Sequence, residues 1–148
     1  MYIKYLENME LYLKAQNELK RLIDKKQLLF DRTQPGATKY DSEKVSGGNT
    51  NNSKWDEYLD KAQELEDRIV VAQEIVNARK LIKDLSEQDL RNSKNNYDII
   101  FVARVLERKK VYQITAIVNY SERQVNRYLK EINKNYEPYK KRWHKMSL

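Results

Sequence analysis

VYQITAIVNYSERQVNRYLKEI, Val111 to Ile132, reads as a helix, a three-residue turn and a second helix. Ile114, Val118, Tyr120, Val125 and Tyr128 fall where two short helices crossing at a steep angle bury side chains against each other and against a supporting helix. Asn119 stands at the turn, where Asn, next to Gly, best tolerates a left-handed backbone. Ser121 is placed to cap the second helix, Gln124 lies three residues on to close a capping box, and Tyr120 and Val125 flank the cap as a hydrophobic staple.

The two faces of the second helix differ in chemistry. At 3.6 residues per turn, Val125, Tyr128, Leu129, Ile132 and Tyr136 line one side, and Arg123, Arg127, Lys130 and Lys134 line the other. The four cations span roughly 16 Å, a length that suits a helix lying in a DNA groove. A merely solvated face would mix signs to form i,i+4 pairs, and this one does not. In a helix-turn-helix the base edges are met by the exposed residues of the first two turns of the second helix, which here are Ser121, Glu122, Arg123, Asn126 and Arg127. Arg123 and Arg127 can fork onto guanine, Asn126 onto adenine, and Glu122 can accept from cytosine or orient an arginine. The plainer alternative is that Glu122 only favours the helix N-terminus and the arginines bind phosphate. Arg108, Lys109, Lys110, Lys130 and Lys134 are the candidates for phosphate contact.

The segment IIFVARVLERKKVYQITAIVNYSERQVNRYLKEI, about a quarter of the chain, resembles the C-terminal part of a group of small phage proteins. These carry a helix-turn-helix similar to region four of bacterial sigma factors, and they include the ArpU-type and RinA-type late-transcription regulators. The run Tyr120, Ser121, Glu122, Arg123 is the strongest match. The chain departs from the group's pattern at Thr115, where a small Ala is usual, at Asn119 in place of a turn Gly, and at Lys110 in place of a Ser cap. The resemblance implies a sequence-specific regulator of phage or prophage transcription that binds double-stranded DNA in the cytoplasm of a bacterial host. Its recognition helix, Glu122 to Lys134, would lie in the major groove.

The 148 residues are enough for one domain, or for one small domain plus an extended helical element. Charged residues make up 34%, with only 3 Gly and 2 Pro, and the apolar residues are spread periodically, so the expected fold is all-α, a long coiled-coil-like N-terminal helical hairpin followed by the helix-turn-helix. The absence of cysteine excludes a disulfide framework, a thiolate metal site and a catalytic Cys, and a single His144 excludes a histidine cluster. MYIKYLENME lacks the apolar core of a signal peptide, and no stretch approaches a membrane span.

The net charge of +7 is unevenly placed. Residues 1–103 carry 17 Lys and Arg against 18 Asp and Glu, and residues 104–148 carry 12 against 4. The excess lies around and after the helix-turn-helix, and phosphate polyanions are the natural partner for such a surface. A basic membrane-surface helix would need a broader apolar face than this packing stripe, so no membrane partner is expected.

Along the chain, Met1 to about Phe30 reads as a helix with apolar residues at Tyr2, Leu6, Met9, Leu13, Leu19, Leu22, Ile23, Leu29 and Phe30. Residues 31–53, with Pro35-Gly36, Gly47-Gly48 and a run of Asn, Thr and Ser, read as a flexible loop without a nucleotide-binding pattern. Ser53 and Asp56 make a capping start, and Lys54 to about Leu85 follows as the longest helix, its apolar residues Trp55, Tyr58, Leu59, Ala62, Leu65, Ile69, Ala72, Ile75, Val76 and Ile82 approaching a heptad. The first helix is its natural partner in an antiparallel hairpin, although each helix could equally pack on the same helix of a second molecule. Residues 1–85 are thus expected to serve oligomerisation, most simply as a homodimer, or contact with a partner such as RNA polymerase. Ser86 to Asp89 begin a connection, a supporting helix carries Tyr97, Ile100, Phe101, Val105 and Leu106, and 86–137 form the DNA-binding domain. After Pro138 the basic tail 138–148, with Tyr139 and Trp143 interleaved, either grips nucleic acid by stacking or frays.

Catalysis finds little support: there is no paired carboxylate in an apolar setting, no nucleophile elbow and no metal-spaced cluster. No catalytic or metal site, cofactor or small-molecule substrate is expected. Besides the regulator, two readings stay open: a DNA-packaging protein of the small-terminase kind, and a helical interaction or inhibitor protein with a repurposed helix-turn-helix. Chain order favours the regulator over the first, and the cationic face disfavours the second.

Overall fold

The computed structural model describes residues 1–33 and 48–147, and all the regular elements among them are helical. They are α1 (Tyr2–Thr33), α2 (Gly48–Arg91), α3 (Asn96–Phe101), a π-helical turn (Val102–Leu106), α4 (Val111–Val118) and α5 (Glu122–Ser147). The protein is all-α, as its periodicity predicts. None of the described helices is long and apolar enough to cross a membrane.

The helices group into two compact units that do not follow the division expected at residue 85. One contains residues 1–15 and 77–148, the other residues 16–76. The expected boundary falls inside α2, which continues through Ser86 to Asp89 to end at Arg91. Leu90, 1% exposed, anchors that last turn in the core, while Gln88 and Asp89 point to water. The Ser86 hydroxyl donates to the carbonyl of Ile82 at 3.0 Å and accepts from the Asn8 amide. Polar residues on the outward side of a helix do not end it when its inward side is still burying apolar surface.

In the first unit the core is built around Phe101. Its ring is stacked by Tyr2 at 5.3 Å and met edge-on by Tyr5 and Tyr136, both at 6.1 Å. Leu6, Leu90, Ile100, Ile114, Val125 and Ile132 complete the enclosure. Asn95 caps α3 by accepting from the N–H of Tyr97 at 2.8 Å. Beyond Phe101 the chain winds wide: Glu107 N–H reaches back to the Val102 carbonyl at 2.9 Å and Lys109 N–H to that of Ala103 at 2.8 Å. The chain then leaves through Arg108 at φ 55. Asp98 is buried with its acceptors filled, by the N–H of Tyr2 at 2.9 Å and the hydroxyl of Ser93 at 2.6 Å, so the start of α1 is hydrogen-bonded to the supporting helix.

In the second unit α1 and α2 run antiparallel, with Leu22, Leu65 and Ala72 buried and Leu19, Leu29 and Ile69 packed around them. Lys26 and Glu66 pair across the two helices. Here α1 continues past Phe30 to Thr33 and α2 begins at Gly48, six residues ahead of Lys54, so Ser53 lies inside a helix and does not start one. The weak propensity of Asn, Thr and Ser costs only tenths of a kcal/mol per residue, about what one further hydrogen bond returns once a helix is nucleated. The middle of the expected loop, residues 34–47, lies outside the described residues. Ile23, Phe30, Trp55, Leu59 and Ile75, all assigned to packing stripes from their spacing, are exposed. The apolar pattern is wider than the single partner helix can cover.

Candidate nucleic-acid interface

The turn Asn119 to Ser121 forms as its residues require. Asn119 adopts φ 58, ψ 36, the left-handed conformation in which an Asn side chain is tolerated, and its N–H bonds the Thr115 carbonyl at 3.0 Å to close α4. Ser121 Oγ accepts from the Gln124 N–H at 3.3 Å, and Gln124 Oε1 accepts from the Ser121 N–H at 3.3 Å. This reciprocal pair is the capping box the spacing predicts, and it fixes the direction in which α5 leaves the turn. Lys110 has no side-chain oxygen to cap α4, and Gln113 Oε1 supplies the return bond alone, accepting from the Lys110 N–H at 2.9 Å.

Behind the head of α5 sits an aromatic group whose assembly sequence reading missed. Tyr120 and Tyr128 stack at 5.7 Å with planes 3° apart, and Tyr97 meets Tyr128 edge-on at 4.7 Å. Asn96 Nδ2 donates to Tyr120 Oη at 2.6 Å. The adjacent Tyr128 hydroxyl raises the Tyr120 phenol above its ordinary pKa, opposed by the Asn96 bond. The only signal in the chain was the i,i+8 spacing of the two tyrosines, which does not reveal a partner from α3.

The opposite faces of α5 separate as their residues dictate. Val125, Leu129 and Ile132 are buried, and Arg123, Arg127, Lys130 and Lys134 are exposed. Among the described residues none of these four cations has a hydrogen bond or ion pair, although Glu131 is on the same helix. Glu122 and Asn126 are exposed beside them, and Ser121 is committed to the cap. The base-contact candidates therefore lie together at the head of α5.

The phosphate-contact candidates divide. Lys130 and Lys134 continue the face, and Arg108 and Lys110 are exposed at the turn before α4. Lys109 is half-buried and paired with Glu107 at 2.8 Å, where it holds that carboxyl below its usual range, so it is the candidate least available to a new anion. Arg104, which the sequence did not single out, donates from Nη1 to the Lys109 carbonyl at 3.1 Å and braces the same turn.

The helix expected to end near Lys134 continues beyond it, and residues 138–147 are not a separate tail. α5 passes through Pro138 to Ser147. Tyr139 and Trp143 pack against the core and are not held out for stacking on bases. Arg142 grips Glu10 of α1 with two bonds, Nε to Oε1 at 3.1 Å and Nη2 to Oε2 at 2.8 Å. The guanidinium holds the Glu10 carboxyl below the usual range against the cost of its burial, and Lys14 at 3.1 Å adds to the effect. Proline removes one intrahelical bond, but a helix anchored on both sides of it by aromatic packing continues across the gap.

No family model matches the chain, and comparison with curated proteins and with solved structures likewise finds no match.

Proposed function

We propose that this chain is a sequence-specific double-stranded DNA-binding protein that regulates transcription of phage or prophage genes, with the head of α5 in the major groove. The observation that carries the reading is the unpaired cationic face of Arg123, Arg127, Lys130 and Lys134 on a helix whose other face is locked into the core. Four neighbouring cations with no ion pair among the described residues raise the local potential and bind a polyanion by releasing its condensed counterions. The capping box and the aromatic group behind it hold the helix head rigidly, which base readout needs. The phage context and the cytoplasm of a bacterial host come from the resemblance of the segment from Ile99 to Ile132.

The reading includes a homodimer, and RNA polymerase as a further protein partner. Support for self-association comes from the second unit, where Ile23, Phe30, Trp55, Val70 and Val71 are exposed while its core cluster of buried residues among the described ones is Leu22, Leu65 and Ala72. A second copy would cover this surface and offer two recognition helices to a two-fold site.

The test separates base readout from phosphate binding. Arg123, Asn126 and Arg127 are replaced singly by Ala, and binding is measured at one salt concentration to a duplex selected from a random pool and to its scrambled counterpart. A base contact costs about 1–3 kcal/mol on the selected duplex and much less on the scrambled one. Equal losses on both would remove these residues as readers of sequence.

A further inference from the structure

The continuation of α5 through Pro138 places two further cations in line with the recognition face. At 100° per residue, Arg123, Arg127, Lys130, Lys134, Lys141 and Lys145 all fall within about 60° of arc, on the side opposite Val125, Ile132, Tyr139 and Trp143. Lys141 and Lys145 are exposed, and neither has a hydrogen bond or ion pair among the described residues. The other cations of this stretch are placed differently: Arg142 is held by Glu10, and Lys140 lies well off the arc.

We propose that the duplex footprint extends past the recognition segment, with Lys141 and Lys145 gripping phosphates of the backbone that flanks the groove. The inference rests on the DNA-binding reading and adds to it a second zone of contact. From Arg123 to Lys145 the stripe is about 33 Å long. A major groove is roughly 12 Å wide, so the first half of the stripe fills it and the second half lies over the sugar-phosphate wall beyond. Such contacts carry no sequence information; they add affinity and fix the angle at which α5 crosses the duplex. The packing of Tyr139 and Trp143 and the Glu10–Arg142 pair keep this half of the helix ordered before DNA arrives, so little entropy is lost on binding.

The experiment is a salt titration of binding to a 24-base-pair duplex by fluorescence anisotropy, with the full chain. Lys141→Gln with Lys145→Gln lowers the slope of log affinity against log salt by roughly 2, one for each phosphate contact released. Lys140→Gln leaves the slope unchanged. Gln keeps helix propensity, and an unaltered far-ultraviolet circular dichroism spectrum verifies that α5 persists in each variant. If the wild-type chain binds the duplex and the double variant keeps its slope, the extended footprint is overturned and the recognition face stands. If Lys140→Gln lowers the slope as much as each in-line substitution, the contact does not follow the in-line stripe and the extended footprint is overturned. If the wild-type chain shows no salt-dependent duplex binding, the DNA-binding reading falls, and the extended footprint with it.

Discussion

The two units bury their apolar residues to different depths, although both are made of helices with similar periodicity. The first encloses Phe101, Leu6, Leu90, Ile100, Ile114, Val125 and Ile132 between helices that approach from several directions. The second has two antiparallel helices, and its buried centre is Leu22, Leu65 and Ala72. A helix pair covers only one stripe on each member, so whatever apolar residues lie outside that stripe stay in water. Three or more crossing helices close a volume. A buried centre that crossing helices close leaves little apolar surface in water, and a thin helix-pair seam leaves Val70, Val71 and Ile75 exposed.

Removing the centre of each unit breaks this comparison most directly. Phe101→Ala should destabilise the first unit by about 3–5 kcal/mol, since a fully enclosed ring leaves a cavity that four surrounding helices cannot collapse into. Leu65→Ala should cost about 2 kcal/mol, at the bottom of the range for such a change, because the hairpin seam can close over the loss. Urea denaturation followed by far-ultraviolet circular dichroism measures both, and a greater loss from Leu65 than from Phe101 would reverse the ranking.

A smaller effect tests how α5 is held at its head. Ser121→Ala removes the hydroxyl that accepts from Gln124 and should cost about 1 kcal/mol, while Ser121→Asp, which can accept the same bond, should retain most of the stability. Equal losses in the two variants would assign the cost to something other than the cap.

The smallest effect concerns pH, and it acts on one unit alone. Glu10 titrates below its ordinary 4.5 because Arg142 donates to its carboxylate. Its contribution is therefore fully present above that value and is lost as pH falls through the lower folded-state pKa. Glu10→Gln should flatten the acid limb of the stability profile of the first unit, read as urea midpoints between pH 7 and pH 3. A profile with the same steepness in the variant would show that the pair adds nothing to folding.

Much of the helix-turn-helix was legible because its determinants are local. Ser121 with Gln124, Asn119 at the turn, and the alternation of Val125, Leu129 and Ile132 with Arg123, Arg127 and Lys130 all lie within about four helical turns of one stretch of chain. The boundaries of α2 and α5 were not legible, because Ser86–Asp89 and Pro138 are breaking signals locally. Leu90 on one side, and Tyr139 with Trp143 on the other, outweigh them by burial that depends on partners far along the chain. Tyr5 was missed for a related reason: its neighbour Phe101 is 96 positions away, and nothing in the first helix announces that its opening turns belong with the last one.

The sequence by itself determined that the chain is helical, where its sharp turn stands, how that turn is capped, and that one face of the helix after it is cationic and the other apolar. These follow from backbone preferences and a 3.6-residue period, which act over a few residues. Only the tertiary structure decided that residues 1–15 complete the core of the helix-turn-helix, that the basic C-terminal stretch continues α5, and which cations are held by carboxylates and which are free. Those outcomes depend on which distant surfaces can bury each other, and a pattern along one dimension does not specify its partner in three.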